Sequence, residues 1–583
     1  MRYLLIFALF VYSAICACAQ NSYEACGFGS GDIGARINAA DSSAGSAPAD
    51  IWVTCSGTVS TMPAIHSYHR LILAAPITWD INLSLSSNTQ VLGTGQEATQ
   101  ALQPVNSSGQ PIPWIIATGL ANVSISNLSA TVNMNGPLIT GTSLTNVDIS
   151  KSSIANSYSG AGAAATILHC LACNGIAMTN NHILGMGLLE TDTTASSYSA
   201  VTASNITDHV ILSDNFVDGQ GNQVVLAYLM YVNDVVASNN TAYNAQYNVE
   251  WWGGNAAVEG LTPSNPRWAS DINITGGIAY NVRAGFWGSM GQDVTVSGVT
   301  VDTCQDVGLD AESSSRAVFS GFTVHNCANG GLAAFYSSQQ VEFGPGTVTS
   351  DTAANSLLWA HNSSANPASA VGVKVHNVKF VCSDSATLCN LNADPIGGFQ
   401  FDDNEIVNGT LLLTGNNNSG YDISRNNFTF TYTPSSNFSA ITVPGQVYNY
   451  LPTSTIASNT VHSTTLQNSE TYAINAAITD YNYSDILYVR NNVTSGFTND
   501  AKFVANSGNG GITPTFIFVE NNWGNNSLSN VVSGNLGSFR TSYVGTPANS
   551  SASCIQGQIE SDASYLYTCV ATNTWRRVAT SVF

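Results

Sequence analysis

A β-solenoid is the fold this sequence predicts, on two observations: a short phrase that recurs at coil-sized intervals, and a composition nearly free of charge. From about residue 174 to 525 a few alternating β-formers lead into Asn or Gly and then another apolar pair, as in Thr179-Asn-Asn-His-Ile183, Ser213-Asp-Asn-Phe-Val217, Arg425-Asn-Asn-Phe428 and Arg490-Asn-Asn-Val493. Successive Asn or Gly positions are mostly about 21 to 37 residues apart, the period of a solenoid coil. Each phrase is too short to bury its own apolar face, so it needs a like neighbour stacked on it. Asn tolerates the left-handed backbone of a corner, and its amide can bond the equivalent amide one coil away. Corners are therefore expected at residues 181, 215, 240, 377, 404 and 427. Only 9% of the 583 residues are charged, which leaves ladders and stacking to supply stability.

The first 19 residues read as an export signal: Met1-Arg-Tyr, an apolar stretch Leu4–Ile15, and Ala17-Cys-Ala19 ahead of Gln20 in the small-x-small form. No later apolar run approaches the length of a membrane span, so a secreted protein, extracellular or periplasmic, is expected. Residues 20–50 form an N-terminal cap, 51–530 the coils, and 531–583 a small C-terminal unit with its own cysteine pair. Within the cap, Cys26 to Ala44 reads as a short helix, with Asp32 as N-cap and Ile33, Ile37 and Ala40 on one face. Gly29-Ser-Gly31-Asp-Ile-Gly34 matches a dinucleotide fingerprint in spelling only, because no strand precedes it.

Ten cysteines follow the signal and fall into near neighbours: Cys26/Cys55, Cys170/Cys173, Cys304/Cys327, Cys382/Cys389 and Cys554/Cys569. Structural disulfides are expected, with Cys304 and Cys327 one coil apart. The formal charge of −21, with fifteen dispersed Lys and Arg residues, disfavours nucleic acid and anionic membranes as partners, and neither is expected. Anionic glycans would be repelled unless a divalent cation bridged them, so a neutral polysaccharide or cell-surface glycan is the partner expected. His66 and His69 fall in a loop and are not taken as metal ligands; the sequence assigns no oligomeric state.

The signal, the segment Gly-Asp-Ile-Gly-Ala-Arg-Ile-Asn-Ala-Ala at 31–40 and the stacked Asn-turn coils together resemble the right-handed parallel β-helix proteins of the pectate-lyase-like superfamily, secreted and of bacterial type. The resemblance covers roughly residues 25–530 and implies an all-β parallel β-helix with an N-terminal capping helix and a C-terminal β-hairpin unit. It implies no single activity, because lyases, hydrolases, tailspikes and non-catalytic surface proteins share the fold. Of the polygalacturonase-like motifs only Asp402-Asp403 is present. Pectate-lyase-like chemistry wants an Arg or Lys base beside carboxylates holding calcium, for which Arg283 and Arg316 are the available bases.

When the middle coils are laid over one another, Tyr247–Gly253, Ala284–Ser289, Val307–Glu312, Gly331–Tyr336 and Ser356–His361 occupy one strand in successive coils. With Val249/Trp251, Phe286/Gly288, Leu309/Ala311, Leu332/Ala334 and Leu358/Ala360 inside, alternation puts Glu250, Trp252, Trp287, Asp310, Glu312, Phe335, Trp359 and His361 outside. Aromatic faces stack on sugar rings, and carboxylates supply the acid and base of glycosidic cleavage. Asp310, Glu312 and Glu250 are thus the candidate catalytic residues. Trp252, Trp287, Phe335, Trp359, His361, Arg283 and Arg316 are the candidate substrate-binding residues. The function expected is polysaccharide cleavage by carboxylate acid/base glycoside hydrolysis, with no metal or cofactor. The alternatives are a calcium-dependent lyase and a non-catalytic glycan-binding or surface-structural β-helix.

Overall fold

The computed structural model of the chain describes residues 21–254 and 266–580, less 337, 354, 362–370, 385, 395–397, 414–419, 435, 447–452, 466, 468–470, 481–485, 498, 508–514, 521, 523–535, 541, 545, 555–558 and 563. The export signal expected over the first 19 residues lies outside these residues. They form two compact units, one of residues up to 195 with 202–225, the other of residues 196–201 with 226–583. Each is a stack of parallel coils.

In the first unit the strands Ala121–Ser126, Thr145–Ser150, Asn174–Thr179 and Thr207–Ser213 pair in parallel, with Ile125, Ile149, Met178 and Leu212 in one column. In the second, Ala269–Thr275, Gly291–Ser297, Ser315–Ser320, Gln339–Phe343 and Val371–His376 do the same, aligning Ile274, Val296, Phe319, Phe343 and Val375. Period-2 alternation sends these columns inward, and all nine side chains are buried. Each such side chain contributes about 1.5–3 kcal/mol relative to exposure, so a few inward side chains per strand suffice when many coils repeat them. Parallel strands joined by crossovers take the right-handed connection, giving a right-handed parallel β-helix.

Helix α1 spans Ile33–Ala44, with Asp32 as its N-cap accepting from the Ala35 N–H at 2.8 Å. It starts later than the sequence suggests, because Ala25–Gly27 is a separate 3-10 turn and Gly29 takes a φ of +66°. Ile33, Ile37 and Ala40 are buried as expected. Gly34, the last glycine of the false fingerprint, is required by packing: a Cβ there would stand 1.9 Å from the Thr61 carbonyl oxygen.

The corners divide labour between two adjacent residues. Asn180, Asp214, Asp403, Arg425, Ser458 and Asn491 hold the left-handed conformation, with φ between 55° and 58°. The residue after each is a buried Asn in a ladder. Asn181 donates to Asn215, and Asn404, Asn426, Asn459 and Asn492 donate in turn, the last to Asn522, through Nδ2–Oδ1 bonds of 2.9–3.0 Å. The expected corner at 427 is therefore one residue late, since Asn427 is exposed in the strand Asn427–Phe430. At Asn377 the ladder place falls to Val378, whose N–H donates to Asn404 Oδ1 at 2.9 Å. Asn426 is saturated: Nδ2 donates to Phe401 O and Asn459 Oδ1, and Oδ1 accepts from the backbone N–H and Nδ2 of Asn404. Asn426→Ala would orphan buried groups on both sides, and a loss of about 3 kcal/mol or more is expected in chemical denaturation.

All five neighbouring cysteine pairs are disulfides. Cys304–Cys327 joins residues that face each other in adjacent coils. Disulfides fit an oxidising compartment. Among the described residues no helix is long and apolar enough to cross a membrane. The C-terminal strands Ser542–Val544, Ile559–Ser561, Tyr565–Ala571 and Thr574–Ala579 form their own four-stranded sheet around Cys554, Tyr567, Cys569 and Trp575, larger than the two-strand hairpin expected.

Candidate active site

Five strands of the second unit build the site: β1 (Tyr247–Trp252), β2 (Phe286–Ser289), β3 (Val307–Glu312), β4 (Gly330–Phe335) and β5 (Ser356–His361). Val249, Trp251, Phe286, Leu309, Ala311, Leu332, Ala334, Leu358 and Ala360 are all buried, as inward alternation requires. A Cβ at Gly288 would lie 2.2 Å from the Trp251 ring, so glycine there lets that indole fill the core.

The register turns the opposite face into two columns. Glu250 pairs with Trp287, Trp287 stands beside Asp310, and Asp310 leads to Ala333 and Trp359. Next to it run Trp252, Ser289, Glu312, Phe335 and His361. At about 4.8 Å per coil, Glu250 lies about 10 Å from Asp310 with Trp287 between them. The His361 side chain lies outside the described residues.

Aromatic rings flank the carboxylates on both sides. Tyr247 stacks on Trp287 with ring centres 5.4 Å apart, and Trp252 reaches the same indole at 5.6 Å. On the far side Phe335 meets Trp359 edge to face at 5.2 Å and Tyr336 at 6.5 Å. Trp359 is the most open of them at 36% exposure.

The carboxylates are less open than alternation implies. Asp310 is 1% exposed and Glu250 6%, because the neighbouring coils present Trp287 and the small Ala333 on either side of Asp310 instead of leaving a groove over it. Glu312 is half-buried. Burial holds the Glu312 carboxyl up at about 7, helped by the charge of Asp306 and opposed by a hydrogen bond from Trp287. Asp310 is raised well above the ordinary range, first by burial, then by Glu312 and Asp306, and it too takes a bond from Trp287. The Trp287 indole thus acts on both carboxyl groups, and Asp310 Oδ1 is buried without a partner among the described residues. Burial shifts both acids toward the protonated form. Burial and the charge of Glu250 push the Tyr247 hydroxyl up to about 12.

Arg283 is brought to this site and Arg316 is not. Arg283 is exposed at the corner before β2, where its charge acts on Tyr247. Arg316 lies on the adjoining sheet, where Asp293 holds its guanidinium with two bonds of 2.6 Å. Asp306 was missed by sequence reasoning. It sits in the turn before β3, donates its N–H to Arg283 O, and accepts from Asn329 Nδ2 at 2.8 Å. Only its stacking beneath Arg283 marks it, and that needs the coil register. The buried Arg267, whose Nε donates to Ser313 O at 2.7 Å, fastens the turn that follows Glu312.

The first unit carries a smaller set on the equivalent strands Thr166–Leu171 and Gly187–Asp192. His169 pairs with Glu190, and Leu171 with Asp192. Burial, aided by Asp192, raises Glu190 to about 7, and burial lowers His169.

No protein-family model and no curated protein matches this sequence. Among solved structures, the chain is similar to the A-module of the Azotobacter vinelandii mannuronan C-5 epimerase AlgE4, at 14% identity and a TM-score of 0.30 over 74% of this chain and 99% of that one. Tailspike protein 3 of bacteriophage CBA120 matches at 12% identity and a TM-score of 0.35, over 95% of this chain and 68% of that one. A family 28 exopolygalacturonase of Yersinia enterocolitica matches at 10% identity and a TM-score of 0.34, over 69% and 77%. Likeness at this level is confined to fold, and no residue role is carried across. By its own strand order and register, this chain is a right-handed parallel β-helix protein.

Proposed function

We propose that this chain is a secreted carbohydrate-active β-helix protein that hydrolyses glycosidic bonds of a polysaccharide through Glu312. The observation that carries the proposal is a half-buried carboxyl held up at about 7, in a strand flanked by aromatic rings on both sides. Such a group still carries its proton in about half of the molecules at neutral pH and can pass it to a leaving glycosidic oxygen. The reaction also needs a second carboxylate, as nucleophile or base, and Asp306, whose charge acts on both Glu312 and Asp310, is the one proposed for that part. Asp310 is too deep to touch a sugar and serves as a positioning residue, its charge acting with that of Glu312 two residues along the same strand.

A non-catalytic glycan binder is the second reading, favoured by the burial of Asp310 and Glu250. A polysaccharide panel assayed separately for reducing ends and for unsaturated products tests the proposal. Reducing ends without unsaturated products are expected. Unsaturated products would point instead to a lyase, with Arg283 as base, and binding without either product to the second reading. Trp359→Ala should weaken binding of the glycan found roughly tenfold, by the loss of one stacking platform, as measured by calorimetry.

A further inference from the structure

We propose that Asp41, His66 and His69 form a site for a divalent transition metal of the zinc class, fastening helix α1 to the first coils. Asp41 lies in the last turn of α1 and is 1% exposed, while His69 opens the strand His69–Leu73 and is completely buried. His69 Nδ1 faces Asp41 Oδ1 at 2.6 Å, and His66 Nδ1 contacts Asp41 Oδ2. The metal-ligating atoms of the three residues lie within 4.8 Å of one another.

The orientation of the His69 ring suits a cation site. Its Nε2 lies 3.0 Å from the Ala47 carbonyl oxygen, which can only accept, so Nε2 carries the hydrogen. That leaves Nδ1 as the ring nitrogen turned to Asp41, and His66 Nδ1 is turned to the same carboxylate. A metal ion would take all three donors at once, with water in a fourth position. A backbone carbonyl accepting from the distal N–H is the support that metal-bound imidazoles ordinarily have. Two imidazoles and one carboxylate suit zinc, nickel or copper better than calcium, which prefers oxygen. The His66 side chain is 60% exposed and gives the ion a way in. Every cysteine among the described residues is in a disulfide, so no thiolate there competes.

The test uses the full chain stripped with chelator and titrated with Zn2+ by calorimetry, and with Co2+ by visible absorption. A single site with the spectrum of a tetrahedral Co2+ centre is expected, together with a Zn2+-dependent rise in melting temperature. His66→Ala removes an exposed ligand without disturbing the core. Its circular dichroism should match the parent while its Zn2+ affinity falls at least ~10-fold and the melting shift disappears. Absence of Zn2+ binding in the parent, or binding that His66→Ala leaves unchanged, would overturn the proposal.

Discussion

Glu312→Gln is expected to lower turnover on the cognate polysaccharide by ~10²–10⁴-fold while leaving glycan affinity within a factor of a few. The amide keeps the shape of the carboxyl group, the Phe335 contact column and the flanking rings, and loses only the proton. Comparing initial rates with calorimetric affinity for the same glycan separates the two effects. An equal loss in both would mean that Glu312 holds the sugar rather than cleaving it. Activity should also fall as pH rises above about 7, where Glu312 gives up its proton. In the binder reading neither the substitution nor the pH limb has any turnover to act on.

Stability should fall as pH rises, opposite to the usual behaviour of salt-bridged carboxylates. Glu312 is raised from an ordinary 4.5 to about 7 by burial, so between those values the folded chain keeps a proton that the unfolded chain has released. Its contribution is present in full below about 4.5 and is lost as pH climbs through about 7, a change on the order of 3 kcal/mol. Asp310 shifts in the same direction for the same first cause, and its charge and that of Glu312 oppose each other. Asp310→Asn removes the deeper of the two ionisable groups without changing its size. The variant should be more stable than the parent at pH 8, nearly equal to it at pH 4, and show a flatter slope between. Denaturant midpoints across that range measure this directly, and a parent whose stability rises from pH 5 to pH 8 would contradict it.

Much of the coil architecture was legible because the residues that make corners are few and chemically marked. An Asn after an alternating run has little reason to recur at coil spacing except to stack on itself. The strip on β1 to β5 was legible for a similar reason, since strand alternation assigns faces without any knowledge of neighbours. What alternation cannot supply is depth. Asp310 sits on the outer face as expected, yet whether water reaches it depends on Trp287 and Ala333 in other coils. Asp306 escaped because corners have no period to betray which side chains share a space. The division between Arg425 and Asn426 escaped too: left-handed backbone was expected of Asn, but Arg425 and Ser458 adopt it with φ of 58° once the buried amide behind them is satisfied. Asp41 lies 25 residues before His66, on a helix whose rotation the sequence leaves open.

The amide ladder also bears on how such a chain can change length over evolutionary time. Asn426 to Asn459 and Asn459 to Asn492 are each 33 residues apart, and every rung offers its neighbour the same two donors and the same acceptor oxygen. Excising one whole rung-to-rung segment would hand Asn426 a new partner, Asn492, chemically identical to the one it lost. A deletion of half that length would set an apolar residue against an amide and strand both. Viable insertions and deletions in this part of the chain are thereby quantised in whole coils, so genetic drift in length leaves the interior chemistry unaltered while moving whatever the loops display by discrete steps along the axis.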